Sequence, residues 1–366
     1  MRVLMLSHTK NYWTSLYARP FIERGDAVLV LSFSPEPLHG VDVEYIGIDP
    51  WDQNKRAYIT RVPLIRKRVR QFRPDVVLAS YVASNGLAAV LSWPGPTVVS
   101  VLGGDMLEQA GRTGFQRWLR LRMVLYVCHR SAVIHTVSQE MDEELVRQGI
   151  PTSKIVQIPV GVDIRRFGPA PDMPRSLATR LICVRKHEPI YDNMTVVEAL
   201  ARLKAAGREF RCVMTSDGML LDALKARARE LGLEDWMTYT GELPRDRLPE
   251  LFRRQDIYIS ASLSDGTSSA LLEGMASGLF PVVSRITANL PWIEHEKTGL
   301  FFEPRRADEL AKMLVRAMDD DELRRRAFDA NRRRVEQDGD IRRNMERYVE
   351  IVDRVVAEAG RNSGRG

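Results

Sequence analysis

Short apolar runs alternate with longer amphipathic segments along most of this 366-residue chain. In the first half the runs are VLMLS, AVLVLS, DVVLAS, TVVSVLGG and AVIHTVS, and each precedes a longer charged stretch. In the second half they are RLICVR, FRCVMTS, WMTYTG, DIYISAS, FPVVS and GLFFE. Strands of about five residues that alternate with helices indicate parallel β-α-β units. The chain is therefore predicted to be an α/β protein with doubly wound parallel sheets.

The alternation is interrupted at GPAPDMPR, residues 168–175, where three prolines indicate a linker. The length of the chain also favours two domains. We predict Rossmann-like domains at 1–167 and 177–342 around a linker at 168–176, with a helix at about 343–360 that packs back onto the first domain. Because ligands of such sheets bind at the carboxyl ends of the strands, a site is expected in a cleft that both sets of strand ends face.

Composition excludes several classes of protein. Hydrophobic residues at 44% and charged residues at 28% are typical of globular domains, which argues against a disordered or fibrous chain. Cys128, Cys183 and Cys212 are widely spaced and form no C-x-x-C pair, so a disulfide framework is not expected and a reducing compartment fits. His187 and His295 are not at metal-ligand spacing, so we expect no zinc site.

The net charge of +6 lies in the first half of the chain. Residues 1–168 contain 21 Lys and Arg against 15 Asp and Glu, whereas residues 169–366 contain 33 of each. Such an excess indicates that the first half meets an anionic partner, which the charge alone leaves open as a membrane surface, a phosphorylated substrate or nucleic acid.

Two basic stretches, 56–73 and 111–130, contain no acidic residue, and the second includes Phe115, Trp118 and Tyr126. Basic helices with an aromatic face can lie on anionic membranes. The same pattern is also typical of helices that pack on a sheet. No run of about 18 apolar residues occurs, and the N-terminus lacks the features of a signal peptide. We predict a cytoplasmic protein, with peripheral contact to the inner face of the membrane as one interpretation of the basic stretches.

The strongest candidate for a functional site is SLSDGTSSALLEGMASGLFPVVS, residues 262–284. A strand leads into a polar turn and then into a helix, a geometry whose free backbone N–H groups and helix dipole suit a phosphate. The turn contains Asp265, Gly266, Thr267 and Ser268. Since carboxylates repel phosphate, Asp265 and Glu273 are better suited to accept hydrogen bonds from sugar hydroxyls. The alternative is a helix-capping Asp and a solvated Glu.

This segment resembles the EX7E motif of retaining glycosyltransferases of family 4, with Asp265 at the first Glu position and Glu273 at the second. The resemblance covers about residues 130–360 and includes the segments 136–169, 232–262 and 287–304. It implies a GT-B fold, in which two Rossmann-like domains face a cleft. It also implies that the C-terminal domain binds a nucleotide-sugar donor and the N-terminal domain an acceptor.

The resemblance implies roles for the donor-site residues. Glu273 would bind the ribose hydroxyls and Asp265 the hydroxyls of the transferred sugar. The amides of Gly266, Thr267 and Ser268 would face the distal phosphate and the sugar. Arg185 matches the diphosphate-binding arginine, whose guanidinium fork suits that task.

Three further positions complete the expected donor site. The family usually has a lysine six residues after the arginine, where this chain has Tyr191, and Lys186 is the candidate substitute. Asp217 and Gly218 resemble the turn that binds the base.

The first domain departs further from the family. The segment SHTKNYWTS, residues 7–15, lacks the family's glycine pair, so side chains are expected to act there. The acceptor-side candidates are His8, Lys10, Asn11 and Tyr12, although a histidine at a strand end is more often a packing residue. The segment LGGDM resembles the family's H-G-x-D loop with Leu102 in place of the histidine. Asp105 remains as a catalytic candidate, and Gly103 and Gly104 allow close approach of the backbone.

With its resemblance to family 4, which implies retention, the sequence thus predicts a retaining, metal-independent glycosyltransferase that moves a sugar from a nucleoside-diphosphate sugar to a hydroxyl acceptor. Arg185, Asp265 and Asp105 are the catalytic candidates. The acidic segment MDDDE, residues 318–322, resembles the DxD metal motif of some sugar transferases, but its position between two helical patterns favours a helix start. No cofactor and no nucleic-acid partner are expected, and an anionic or lipid-linked acceptor fits the basic first half. The alternatives are a nucleotide-sugar-binding protein without transfer activity and a GT-B nucleotide-sugar epimerase.

Overall fold

The computed structural model describes residues 1–47, 57–102, 114–169 and 178–363. The chain divides into two compact units. One comprises Met1–Pro159 with the C-terminal segment that begins at Arg342, and the other comprises Val160–Ile341.

In the described part of the first unit, seven strands form one parallel sheet in the order β3-β2-β1-β4-β5-β6-β7. The strands are β1 Arg2–Ser7, β2 Ala27–Ser32, β3 Asp42–Tyr45, β4 Val76–Ser80, β5 Thr97–Val101, β6 Val133–Thr136 and β7 Ile155–Gln157. The five strands predicted from apolar runs are confirmed. The two that were not predicted, β3 and β7, form the edges of the sheet, where the side chains are only partly buried.

In the described part of the second unit, six strands form a parallel sheet in the order β10-β9-β8-β11-β12-β13. The strands are β8 Thr179–Val184, β9 Phe210–Thr215, β10 Met237–Tyr239, β11 Ile257–Ser260, β12 Phe280–Ser284 and β13 Leu300–Phe302. All six were predicted from the sequence. Their apolar runs are continuous because both faces of such a sheet are covered by helices.

The helices of the first unit are α1 Tyr12–Glu23, α2 Ala57–Thr60, α3 Val62–Phe72, α4 Leu87–Ser92, α5 Gly114–Arg130 and α6 Gln139–Arg147. Those that follow are α7 Asn193–Ala205, α8 Leu221–Glu230, α9 Leu248–Arg253, α10 Ser269–Ala276, α11 Ala307–Asp319, α12 Asp321–Arg334 and α13 Ile341–Ser363. Single π-helical turns occupy Tyr81–Gly86 and Val335–Gly339. Within the described ranges, no helix is both long enough and apolar enough to cross a membrane.

The C-terminal helix α13 contributes to the core of the first unit. Tyr348 is 2% exposed, and its ring centre lies 4.8 Å from that of Tyr17 and 5.0 Å from that of His135. Asn344 Nδ2 donates a hydrogen bond to the carbonyl of Pro159 at 2.9 Å. The helix expected at about 343–360 therefore lies within α13, on the sheet of the first unit.

The two units divide after Pro159, whereas the sequence suggested a boundary after residue 167. The segment from Val160 belongs to the second unit because its backbone is bonded there. Val162 N donates to Gly339 O at 2.7 Å, and the guanidinium of Arg332 donates to two carbonyls of the segment. Most of the expected linker falls outside the described residues.

Candidate functional site

The order of the second sheet reverses between β8 and β11, which pair although they are not consecutive in the chain. In open parallel sheets, ligands bind beside the carboxyl ends of the strands at such a reversal. Arg185 directly follows β8, and the turn at residues 265–268 lies between β11 and α10. The polar residues singled out in the sequence thus lie where this type of fold binds ligands.

Arg185 lies at the centre of this site, with a side chain only 10% exposed. Its Nη2 lies 2.5 Å from Asp265 Oδ2 and also donates a hydrogen bond to Ser268 Oγ. The ring of Tyr191, at the position of the missing lysine, has its centre 5.3 Å from the guanidinium carbon. Burial lowers the pKa of Arg185, but nearby Tyr258 and Asp265 raise it above its ordinary value. The guanidinium therefore stays charged.

The turn before α10 is held by its own side chains. Asp265 Oδ1 accepts a hydrogen bond from Gly266 N at 2.9 Å, and Ser268 Oγ caps α10 by accepting one from Leu271 N at 3.2 Å. The Gly266 amide, expected to face a phosphate, is thus bonded to the neighbouring carboxylate. A phosphate would have to compete with Asp265 for this amide. Thr267 lies within the same turn.

Glu273 is buried within α10, with 5% of its surface exposed. Its Oε1 lies 3.7 Å from Arg245 Nη2, and the Arg245 side chain is itself 56% exposed. Burial raises the pKa of Glu273 to about 7, against the opposing effect of nearby arginines, of which Arg245 is the strongest. The alternative that Glu273 is a solvated helix residue is wrong. A buried carboxyl group with a perturbed pKa marks a candidate for function.

A pocket of about 350 Å³ lies beside the end of β8 and is lined by Lys186, Glu188, Ser216, Asp217, Gly218 and Glu242. His187 N donates to Asp217 O at 2.9 Å, and Leu220 N donates to His187 O at 2.9 Å, so the two loops of the pocket are joined by their backbones. A Cβ on Gly218 would lie 2.6 Å from the His187 carbonyl carbon, and its φ is +155°. Only glycine fits there. Lys186, Asp217 and Gly218, which the sequence places at the donor site, therefore share one pocket.

His8 of the first unit follows β1, which pairs with β4 where the order of that sheet reverses. Its Nε2 lies 2.8 Å from Tyr58 Oη, a partner that the sequence did not indicate. Burial lowers the pKa of His8, and Glu36 opposes that effect. His8 is thus a half-buried residue that contacts the Tyr58 hydroxyl. It lies at the carboxyl ends of the strands, where ligands of such folds bind.

The other acceptor-side candidates form the turn into α1. Lys10 N donates to Ser34 Oγ at 3.1 Å, and the Lys10 side chain is exposed. Asn11 precedes α1 and accepts a backbone bond from Thr14 at 3.0 Å, while Tyr12 is 45% exposed. Gly103, Gly104 and Asp105 lie outside the described residues.

The acidic segment 318–322 spans the end of α11 and the start of α12, so the helix start that the sequence favoured accounts for its later part. Asp320 Oδ1 accepts a hydrogen bond from Leu323 N at 2.8 Å, which caps α12. Asp319 is paired with Arg208 through two contacts of 2.7 Å. Among the residues that the structure describes, no three His, Cys, Asp or Glu side chains are grouped so that they could hold a metal ion.

Two tandem parallel α/β units, with a polar site where the strand order of the second sheet reverses, are the parts of a GT-B fold. Comparison with family models gives matches to "Glycosyltransferase Family 4" at residues 15–166 and to "Glycosyl transferases group 1" at residues 180–334. Each half of the chain thus matches a glycosyltransferase family model.

Similar proteins include the GDP-mannose-dependent alpha-(1-6)-phosphatidylinositol monomannoside mannosyltransferase of Mycobacterium tuberculosis. It is 26% identical over 186 residues, which are 46% of this chain and 48% of the relative. The chain spans about half the length of the curated relatives it matches. A glycosyltransferase from Rickettsia africae has a TM-score of 0.80 at 18% identity, with 97% of this chain and 98% of that one covered. Anabaena HepE in complex with UDP and glucose also has a TM-score of 0.80, at 16% identity and with 96% and 99% covered.

Proposed function

We propose that this protein transfers a sugar, with retention of configuration, from a nucleoside-diphosphate sugar to a hydroxyl acceptor in glycan, glycolipid or secondary-metabolite biosynthesis. The main support is the buried cation Arg185 beside the N-terminus of α10, with Asp265 and Glu273 near it. A fixed positive charge beside a helix N-terminus suits a leaving group that becomes more negative as its bond to the sugar breaks.

Each polar group of the site has a part in this proposal. Arg185 and the amides at the start of α10 bind the diphosphate, and Asp265 accepts hydrogen bonds from the sugar. Glu273 accepts hydrogen bonds from the ribose. The pocket that contains Lys186 and Asp217 holds the base.

The reaction exchanges one bond of the anomeric carbon for another. The bond from that carbon to the diphosphate oxygen breaks, the acceptor oxygen forms the new bond, and the hydroxyl proton leaves with the diphosphate or enters solvent. Retention is supported by the resemblance of residues 262–284 to the motif of retaining family 4 enzymes. We propose that no metal ion is needed, because Arg185 and the helix dipole already supply positive charge at the leaving group.

A panel of donors tests the proposal. Relatives and neighbours are named with GDP-mannose or UDP, so the panel contains UDP-, GDP- and ADP-sugars. The matching donor at a hundred times its Kd stabilises the protein by about 2.7 kcal/mol, a shift that thermal unfolding detects. Transfer to an added alcohol supports the proposal. A stabilising donor that is neither hydrolysed nor transferred indicates a binding protein, and conversion of the donor sugar without an acceptor indicates an epimerase. If no donor stabilises the protein, the donor site is wrong.

We also propose peripheral contact with an anionic membrane through α5. Phe115 and Trp118 stack with ring centres 6.0 Å apart and are 70% and 56% exposed. Leu119 and Tyr126, on the same face of the helix, are each 46% exposed. Exposed aromatic residues on a basic helix are typical of interfacial binding.

Sedimentation with anionic vesicles tests this contact. The double variant Phe115→Ser/Trp118→Ser is expected to lose binding, and Met219→Ser, which removes a 75% exposed side chain from the second unit, is expected to keep it. Binding should weaken as salt rises, because attraction to the surface falls off within a Debye length. A wild-type protein that stays in solution with anionic vesicles at low salt contradicts the proposal.

A further inference from the structure

A pocket of about 690 Å³ lies in the first unit, at the amino ends of β4, β5 and β6. The acceptor-side candidates follow the carboxyl end of β1, so the pocket lies at the opposite ends of the strands of the same parallel sheet. The side chains that matter for its chemistry are Arg66, Arg70, Arg73, Trp93, Tyr126 and Arg130.

The pocket is strongly basic. Four of its lining residues are arginines, and none of the lining residues is acidic. Asp75, just beyond the pocket in the chain, accepts a hydrogen bond from Arg2 N at 2.7 Å. Four arginines therefore line the pocket with no carboxylate among its lining residues.

One arginine has a structural role. Arg66 donates to the carbonyl of Leu91, near the end of α4, from Nε at 3.1 Å and from Nη2 at 2.8 Å. The side chains of Arg70, Arg73 and Arg130 have no hydrogen-bond or ion-pair partner among the described residues. These three exposed guanidinium groups are available to a ligand.

The negative C-terminal ends of nearby helices offset only part of this positive charge. The C-termini of α3, α4 and α5 meet at the pocket, and each carries roughly half a negative charge. Three such ends offset about one and a half charges of the four. An excess of more than two positive charges remains for an anion.

We propose that this pocket binds a phosphate group, held by Arg70, Arg73 and Arg130. Planar guanidinium groups suit phosphate because each can donate two parallel hydrogen bonds to its oxygens. Trp93 and Tyr126, the latter 46% exposed, provide apolar walls for the rest of the ligand. The phosphate belongs either to the headgroup of an acidic phospholipid or to a soluble phosphorylated molecule. The site does not depend on the proposed donor site, which lies in the second unit.

The test uses the full chain and the double variant Arg70→Gln/Arg130→Gln. The matched control is Arg19→Gln/Arg147→Gln, which removes the same charge from side chains of the first unit that are 74% and 66% exposed. Inorganic phosphate is titrated by calorimetry into each protein and into Arg185→Gln, which reports any phosphate bound at the donor site. We expect affinity to fall about tenfold or more in the pocket variant, because two charged donors are lost, and to be unchanged in the control. The pocket variant should keep the wild-type thermal midpoint in phosphate-free buffer.

Vesicles distinguish the two sources of phosphate. Sedimentation is measured with phosphatidylcholine alone and with equal parts of phosphatidylcholine and phosphatidylglycerol. Loss of binding to the anionic vesicles in the pocket variant alone supports a lipid headgroup. Weakened phosphate affinity without any change in vesicle binding supports a soluble ligand. The proposal is overturned if the pocket variant keeps wild-type affinity for phosphate and for vesicles, if the control variant loses as much, or if phosphate binding is lost only in Arg185→Gln.

Discussion

The substitution Glu273→Gln is expected to raise the stability of the second unit and to lower its affinity for the donor. The pKa of Glu273 rises from an ordinary value of 4.5 to about 7 because its carboxyl group is buried, with the side chain 7% exposed. Each pKa unit corresponds to about 1.4 kcal/mol, so holding the carboxylate in its ionised form costs the folded state about 3 kcal/mol at pH 8. Glutamine keeps the size of the side chain and removes the ionisation. The exposed Arg245 contributes little to stability at 3.7 Å, so its loss as a partner is a small correction.

The direction of the pH dependence follows from the raised pKa. Between pH 4.5 and about 7 the folded protein binds more protons than the unfolded chain. The contribution of Glu273 to stability is therefore greatest at acid pH, is lost as the pH rises through this window, and is constant above it. We expect Glu273→Gln to stabilise the protein by about 3 kcal/mol at pH 8 and by about 1 kcal/mol at pH 5.

Scanning calorimetry at the two pH values measures the difference, since it resolves the transitions of units that unfold separately. Glu250→Gln is the control, because Glu250 is 56% exposed and its replacement is expected to change stability by less than about 0.5 kcal/mol. Donor affinity should change in the opposite sense and fall roughly tenfold to a hundredfold, because an ionised acceptor is lost. A Glu273→Gln protein that is no more stable than wild type at pH 8, or whose gain is the same at both pH values, refutes the reasoning.

Three further expectations concern the same unit. Arg185→Lys should lower turnover by about tenfold or more, equivalent to about 1.4 kcal/mol, because an ammonium cannot reproduce the guanidinium fork; a smaller loss in steady-state assays contradicts that role. A chelator should leave the rate unchanged, and activity that disappears with EDTA and returns with magnesium or manganese contradicts the metal-free proposal. Gly218→Ala should lower the thermal midpoint and weaken donor binding, since its Cβ would lie 2.6 Å from the backbone of His187 at a φ of +155°; wild-type values for both would show that the loop adapts.

The sequence was informative about strands that are buried on both faces. β4 and β5, in the middle of the first sheet, are buried at every position, so their apolar runs stand out from the helices around them. β3 and β7 are edge strands with partly exposed side chains, and their residues carry no comparable run. Such strands form because they pair with a neighbouring strand, and a local sequence pattern carries no information about that pairing.

The candidate site was only partly predictable, because a sequence motif shows single segments and not the contacts between them. Arg185 and Asp265 were found because each lies in a segment with its own motif, and the structure brings them within 2.5 Å of one another. Arg245 and Tyr58 were not singled out in the sequence, and they reach Glu273 and His8 only through tertiary folding. The sequence left open whether Glu273 is buried, since a glutamate in a helix is usually solvated.

The position of α13 has a consequence for how the chain is made. The second unit is contiguous from Val160 to Ile341, so every residue of it has been synthesised before Arg342, where the chain returns to the first unit. The first unit, although its other residues are made first, lacks Tyr348 and the rest of α13 until the second unit has been synthesised. Apolar surface around Tyr17 stays uncovered during that interval, and exposed surface of this kind is what makes nascent chains prone to aggregate. The first unit, although it begins earlier in the chain, is thus completed after the second unit.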